Sequence, residues 1–210
     1  MLSSFLGLRG EVTVEVISPE GEVVYKSTKP NTLVKESPKI LLGNIVPYIS
    51  GTSGTKNFLN EPGRPVIGPK DSGPSSKLAV SYMSLGYYVQ GVDAPPVLNP
   101  VSADDTELGS DNIFHSHITD YDLGDYSVSY ISSFPVDANN ESRRYVEAAL
   151  MCPALSDGAE LGANNIPTEG DQDFSANHLV MFAHQIHNVV QASAGSTIKY
   201  TWTISMQEPT

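Results

Sequence analysis

The segment from Thr197 to Met206 constrains the fold more than any other part of the chain. It reads Thr-Ile-Lys-Tyr-Thr-Trp-Thr-Ile-Ser-Met, so large apolar side chains alternate with small or charged ones. A period of two residues is typical of a β-strand with one buried and one exposed face. The buried face is predicted to carry Ile198, Tyr200, Trp202, Ile204 and Met206. Because Trp202 is the only tryptophan, this strand is expected to close the core.

Other segments repeat the strand pattern. Residues 178–187 are predicted to form a strand, which we interpret as pairing with the last strand through a turn at 191–196. Alternation over 11–17, the turn Ser18-Pro-Glu-Gly21 and a return to Lys26 predict a β-hairpin over 11–26. Four more strands are predicted at 78–89, 113–121, 126–134 and 144–152. The second and third of these are expected to form a hairpin with a turn at 122–125.

These patterns predict about eight strands in a mainly β protein. Ser37-Pro38 is a typical helix start, and the apolar spacing after it predicts one short helix over 38–49. Long loops are expected at 50–77, 91–111 and 153–177. The fold class that fits is an antiparallel, jelly-roll-like β-sandwich, with residues 1–210 as a single domain. Its predicted core includes Val14, Val80, Tyr82, Tyr200, Trp202 and Ile204.

Composition argues against several classes of function. The net charge is −12, and residues 78–210 hold 3 basic and 17 acidic residues, so the main body lacks the basic face that nucleic-acid binding requires. No segment approaches the roughly 20 apolar residues of a membrane span. The N-terminal residues do not resemble a signal peptide, and the single Cys152 excludes an intrachain disulfide. We therefore expect a protein that is made in a cytoplasm and binds neither nucleic acid nor membrane.

Residues 50–77 differ in character from the rest of the chain. Five glycines and four prolines interrupt them, and four basic residues outnumber two acidic ones. A connection this long inside a compact domain is usually either functional or disordered. It could be an extended arm that lies on a neighbouring subunit, or a simple mobile loop. The candidate subunit contacts within it are Phe58, Leu59, Arg64, Val66 and Ile67.

Histidines offer the main candidates for a metal site. His115 and His117 would point to the same face of a strand, so three copies meeting on a threefold axis could supply six imidazoles to a transition metal. Surface or interface histidines are the simpler alternative. His178, His184 and His187 lie on one predicted strand, where His178 and His184 are about 20 Å apart, too far to share an ion. We interpret these three as parts of the scaffold.

Catalytic motifs are not found in the sequence. It contains no Gly-x-Ser-x-Gly turn and no phosphate-binding glycine loop with Lys-Ser/Thr. Asp104-Asp-Thr-Glu107 and Asp171-Gln-Asp173 could bind Ca²⁺, but neither has the spacing of a dedicated calcium loop. The chain is therefore expected to be neither an enzyme nor dependent on a cofactor.

The order of short motifs resembles that of tailed-bacteriophage virion structural proteins of the tail-fibre, neck and baseplate type. The matching segments are Asn31-Thr-Leu-Val34, Leu41-Leu42, Met83-Ser-Leu-Gly86, Asp93-Ala-Pro-Pro96, Asp105-Thr-Glu-Leu108, Glu147-Ala-Ala-Leu150, Met181-Phe-Ala183 and the strand from Gly195 to Ile204. The resemblance implies a non-enzymatic virion subunit, tail-associated, that forms a homo-oligomer and contacts other virion proteins. The long loops and the 50–77 arm would make these contacts.

Two alternatives remain open from the sequence. The chain could be a capsid decoration or cement protein. It could also be a glycan-binding module for receptor recognition, because tyrosines on strands can provide stacking platforms for sugars. The tyrosines considered for that role are Tyr82, Tyr87, Tyr88, Tyr121, Tyr126 and Tyr130.

Overall fold

The computed structural model of the protein describes residues 7–34, 82–153 and 179–206. These residues form ten β-strands. Their bounds are β1 Arg9–Ile17, β2 Val23–Pro30, β3 Thr32–Leu33, β4 Tyr82–Val89, β5 Asn112–His117, β6 Asp120–Gly124, β7 Ser127–Pro135, β8 Arg143–Pro153, β9 Leu179–Val190 and β10 Thr197–Ser205. The predicted helix at 38–49, the loops at 50–77 and 153–177, and the core candidate Val80 lie outside the described residues.

The strands form two antiparallel sheets of five strands each. The first sheet has the order β2-β1-β10-β7-β6, and the second has the order β3-β9-β8-β4-β5. The predicted mainly β, antiparallel sandwich is therefore confirmed. Within the three described ranges, no helix is long and apolar enough to cross a membrane.

Alternating side chains place the core between the two sheets. In the first sheet, Val12 pairs with Trp202 and Val14 with Tyr200, and all four side chains are buried. Ile204, on the same face, is buried as well. From the second sheet, Leu85 and Leu150 face this layer in the same cluster. Each buried side chain of this size contributes about 1.5–3 kcal/mol through the hydrophobic effect, so this layer is the main source of stability.

The second sheet is buried on both faces. Its outer face carries a separate apolar cluster in which Tyr82 packs with Ala149 and Met181. Leu108, from the loop between β4 and β5, belongs to this cluster and covers it from outside. Burial on two faces explains why the sequence of β4 is apolar at both even and odd positions.

The hairpin predicted over residues 11–26 is confirmed, because β1 and β2 pair directly and Gly21 N donates to Ser18 O at 2.9 Å. The predicted pairing of residues 178–187 with the last strand is wrong. β9 lies in the second sheet and β10 in the first. The linker between them instead forms a hydrogen bond with the residue that follows β7, since Gly195 N donates to Val136 O at 2.8 Å. Six residues are enough to carry the chain across the sandwich rather than back along the same sheet.

The predicted strand 113–121 is in fact two strands. The chain leaves the second sheet after His117 and enters the first sheet at Asp120, so the hairpin consists of β6 and β7 alone. Thr119 fixes the bend, because its amide and its hydroxyl both donate to Ile131 O, at 2.7 and 3.2 Å. The turn is also shorter than the predicted 122–125 and contains only Asp125 and Tyr126.

A third crossing joins β2 in the first sheet to β3 in the second. The side chain of Asn31, with its amide oriented to suit its neighbours, accepts a hydrogen bond from Trp202 Nε1 and donates to Gly10 O at 2.7 Å. Gly10 leaves the room for this contact, since a Cβ there would overlap the Asn31 amide. Asn31 therefore satisfies the indole N–H of the buried tryptophan at the point where the chain changes sheets.

Candidate functional site

A buried polar cluster interrupts the apolar outer face of the second sheet. Glu147 on β8 is 0% exposed and His184 on β9 is 4% exposed. Glu147 is accommodated because β4 carries Gly86 beside it, where a Cβ would lie 2.5 Å from Glu147 Oε1. A buried carboxylate costs several kcal/mol unless its charge and its lone pairs are satisfied, so the partners of Glu147 decide what the cluster does.

The β4–β5 loop, residues 90–111, supplies those partners. The amides of Gly109 and Ser110 donate to the two carboxylate oxygens of Glu147 at 3.1 and 2.6 Å. The His184 ring lies between two carboxylates, with Nε2 3.0 Å from Glu147 Oε2 and Nδ1 2.7 Å from Asp105 Oδ2. We call Asp105, Glu147 and His184, with these two amides, the carboxylate–histidine clamp. It ties the loop to strands β8 and β9.

The surroundings of Glu147 and His184 in the clamp favour the charged form of each side chain. Burial by itself raises the pKa of Glu147, but hydrogen bonds from His184, Ser110 and Gly109 outweigh it and lower that pKa below 4.5. Burial likewise lowers the pKa of His184, but its hydrogen bonds to Glu147 and Asp105, and their charges, raise that pKa above 6.5. Since both ring nitrogens face carboxylate oxygens, the geometry fits an imidazolium that donates in both directions.

The groups of the clamp are engaged with one another. The side chain of Ser110 is buried beside Glu147. His184 uses both ring nitrogens within the clamp and is almost fully covered. The arrangement therefore suits holding the loop against the sheet, which agrees with the interpretation of His184 as part of the scaffold.

Sequence reasoning missed the clamp, although each of its charged members was within reach. Asp105 belongs to the acidic stretch that was considered for Ca²⁺, and its Oδ2 accepts from Ser102 N at 2.9 Å as well as facing His184. Glu147 was the one residue whose sequence context indicated such a cluster, because it is a lone carboxylate inside the apolar run from Tyr145 to Met151. A buried charge implies a partner, but the sequence does not say which loop brings it.

His187 makes a second internal link, this time across the core. Its Nε2 lies 3.1 Å from the hydroxyl of Tyr200 on the first sheet, and its Nδ1 lies 2.7 Å from Asn188 O. The tyrosine hydroxyl donates to Nε2 and Nδ1–H donates to the carbonyl, so the ring is neutral. Burial lowers the pKa of His187 to about 4.

The metal-site candidates His115 and His117 share the outer face of β5, as their spacing predicts, and pair with Ser84 and Tyr82. His115 is buried with Nδ1 2.8 Å from Ser84 Oγ, and the His117 ring packs on Tyr82 at 4.8 Å between centroids. Among the residues that the structure describes, no group of three or more His, Cys, Asp or Glu side chains could hold a metal ion. A site shared between copies stays a prediction.

An exposed apolar strip lies at the edge of the first sheet. Tyr121 and Leu123 on β6 are 63% and 70% exposed, although they pair with Tyr130 and Val128, which pack against the core. We define the strip by four exposed side chains of this sheet, which are Tyr121, Leu123, Tyr126 and Met206. Met206 was predicted to lie on the buried face of the last strand. That prediction is wrong, because β10 ends at Ser205 and Met206 is 55% exposed.

The six tyrosines considered for glycan stacking lie in different environments. Tyr82 and Tyr87 are buried, and Tyr88 and Tyr130 are partly buried. Tyr121 and Tyr126 are exposed and belong to the strip. The candidate contacts Phe58, Leu59, Arg64, Val66 and Ile67 lie outside the described residues.

Comparison of the chain with protein-family models, with curated proteins and with solved structures finds no match.

Proposed function

We propose that the protein is a non-enzymatic structural subunit of a bacteriophage virion, associated with the tail and assembled through its loops and the 50–77 arm. The observation that carries this proposal is the exposed apolar strip at the open edge of a rigid sandwich. A sheet edge that carries large exposed apolar side chains is a template for association, even where acidic residues such as Asp120 and Asp122 alternate with them. The resemblance of the motif order supports the placement in a virion.

The internal polar links support the same function. The carboxylate–histidine clamp fixes a long loop to the second sheet, and the His187–Tyr200 bond joins the two sheets. A subunit of a particle needs a scaffold that holds its contact surfaces in fixed positions, and these buried groups contribute to that rigidity. Partners in this proposal are other copies of the chain and other virion proteins, in a particle assembled in the host cytoplasm.

Two measurements test the proposal. Mass spectrometry of purified particles from the phage that encodes this sequence should find the chain as a stoichiometric component, and particles that lack it would contradict a virion role. Light scattering of the purified chain should show an oligomer. Deletion of residues 52–75 should abolish that oligomer and leave the fluorescence of buried Trp202 unchanged, whereas a deletion variant that assembles normally would contradict the role of the arm.

Glycan recognition is the second candidate, and the exposure of Tyr121 and Tyr126 favours it. Two neighbouring tyrosines on a sheet edge could stack on a sugar ring. Their acidic neighbours Asp120, Asp122 and Asp125 could accept hydrogen bonds from sugar hydroxyls. A glycan array with the purified chain distinguishes the two functions. Binding that Tyr121→Ala abolishes would favour recognition. A chain that oligomerises and binds no glycan would favour the structural role.

A further inference from the structure

The strip on β6 and the open edge beside it have a definite chemistry. All five residues of β6 are exposed, and within the described part of the chain only β7 pairs with this strand. One face of β6 is apolar through Tyr121 and Leu123, and the other is acidic through Asp120 and Asp122. Among the strands that the structure describes, the outer edge of β6 is therefore unpaired, and it lies between an apolar strip and a row of negative charge.

A second β6 strand does not fit this edge. In a symmetric antiparallel pair centred on the middle of β6, Asp122 would face its own copy, and Asp120 would lie in the same acidic row. Like charges directly opposite each other destabilise a strand pair. The favoured occupant is instead an extended segment that combines apolar and basic side chains.

We propose that the edge of β6 receives residues 64–70 of a neighbouring copy, Arg-Pro-Val-Ile-Gly-Pro-Lys, as an added strand. This inference rests on the proposed function, since it requires that copies of the chain assemble. Tyr121 and Leu123 are exposed, so their side chains are accessible to a segment of a neighbouring copy.

Charge and spacing both fit this segment. Arg64 and Lys70 stand at its two ends and would be about 20 Å apart in an extended strand. Asp120 and Asp125 flank the apolar residues of the β6 edge, Asp120 as the first residue of the strand and Asp125 in the turn that follows it. One of Val66 and Ile67 would then lie on Tyr121 and Leu123, and the basic ends would lie near the aspartates.

The prolines of the segment fit an outermost strand. Pro65 and Pro69 have no amide N–H, so the segment could pair with β6 on one side and would offer a poor edge to any further strand. Augmentation by such a strand would therefore stop after one addition and would not extend into a fibre.

Photo-crosslinking tests the contact directly. A benzophenone amino acid is placed at position 123 of the full chain, and unlabelled and ¹⁵N-labelled copies are mixed before irradiation. We expect mass spectrometry to find crosslinks from position 123 to residues 60–72 that join one labelled and one unlabelled copy. The matched control position is Val97, which is 97% exposed and lies in the β4–β5 loop. It should give no crosslinks to residues 60–72.

Exchanging the charges of β6 and of the segment 64–70 provides a second test of the contact. Asp120→Lys with Asp125→Lys should weaken self-association roughly tenfold, since each exposed ion pair contributes up to about 1 kcal/mol. Adding Arg64→Glu and Lys70→Glu should restore it. Glu107→Lys, an exposed reversal in the β4–β5 loop, is the control and should have no such effect.

The outcomes separate this inference from the proposed function. An assembled chain whose crosslinks from position 123 reach only other segments, only its own copy or nothing would overturn the inference and leave a structural role standing. A chain that stays monomeric at every concentration would contradict both. Crosslinks between copies, together with rescue by the exchanged charges, would establish the contact.

Discussion

Glu147 and His184 show how a charged residue can be kept inside an apolar sheet. The carboxylate receives two backbone amides and the imidazolium, so its charge and its hydrogen-bonding capacity are both used. Replacing a buried pair with apolar residues can be neutral, but removing one member leaves the other unpaired in a poorly solvated site. The cost of a single substitution is therefore expected to be large.

Glu147→Gln tests the clamp. The amide cannot accept from both loop amides and His184 as the carboxylate does, so we expect a loss of about 3–5 kcal/mol in the free energy of unfolding, measured in urea. The pKa of His184, followed by NMR, should fall because its main partner becomes neutral. Glu107→Gln changes an exposed residue of the same loop and should leave both quantities unchanged. An unaffected His184 pKa in Glu147→Gln would contradict the clamp.

The clamp also predicts how stability depends on pH. The pKa of Glu147 is lowered by folding, so its contribution is present above about 4.5 and is lost as pH falls through the folded value. The pKa of His184 is raised by folding, so its contribution is present below about 6.5 and is lost as pH rises through the folded value. The hydrogen-exchange protection of the amides of residues 98–111, relative to the unfolded chain at the same pH, should fall at both ends of this range. Constant protection of these amides across the pH range would contradict the prediction.

His187 titrates in the opposite sense to His184. Its folded pKa is about 4 against 6.5 in the unfolded chain, so the unfolded state takes up the proton first. Stability should therefore fall by about 3 kcal/mol as pH decreases from 6.5 to 4, at 1.36 kcal/mol per pKa unit. His187→Gln should remove this slope. Tyr200→Phe keeps the imidazole buried and should retain the slope, which makes it the matched control in urea unfolding.

At the scale of elements, the crossings between sheets depend on single polar residues. Asn31→Ala would leave the indole N–H of Trp202 without a partner in a buried site. We expect a loss of about 1–3 kcal/mol in the free energy of unfolding, because an unsatisfied buried donor costs that much. Asn139→Ala, in an exposed turn, is the control for the same change in side chain. Equal stability of the two variants in urea would show that Trp202 finds another acceptor.

Strand identity could be predicted from the sequence better than strand partnership. The alternation in Ile198, Tyr200 and Trp202 identified a strand because it records local burial on one face. The sheet to which a strand belongs depends on what its linker bonds to, as Gly195 and Thr119 show. Those bonds reach residues distant in the chain, so the predicted pairing of 178–187 with the last strand was wrong, and the predicted strand 113–121 is divided between the two sheets.

The same distinction applies to the candidate sites. The spacing of His115 and His117 placed them on one face, because that relation is local. The clamp joins residues 105, 147 and 184 from three elements, and the strip combines β6 with Met206 after β10. Such sites arise only when the topology brings distant segments together, so no single motif contained them.

At the scale of the whole molecule, the position of β10 has a consequence for the timing of folding. This strand lies between β1 and β7, and Arg9 pairs with Ser205 across almost the full length of the chain. The first sheet can therefore be completed only after β10 has been synthesised. Until then the β1–β2 and β6–β7 hairpins exist as separate pieces, each with an uncovered apolar face and an open edge.

Contacts between such distant residues also make folding slow, because loop closure must precede any gain from packing. Stopped-flow refolding followed by the fluorescence of Trp202 should give a main phase between milliseconds and seconds. A microsecond phase that buries Trp202 fully would contradict this. In the cell, β1 and β7 lack the strand that lies between them until β10 emerges, and their open edges are then sites of possible aggregation.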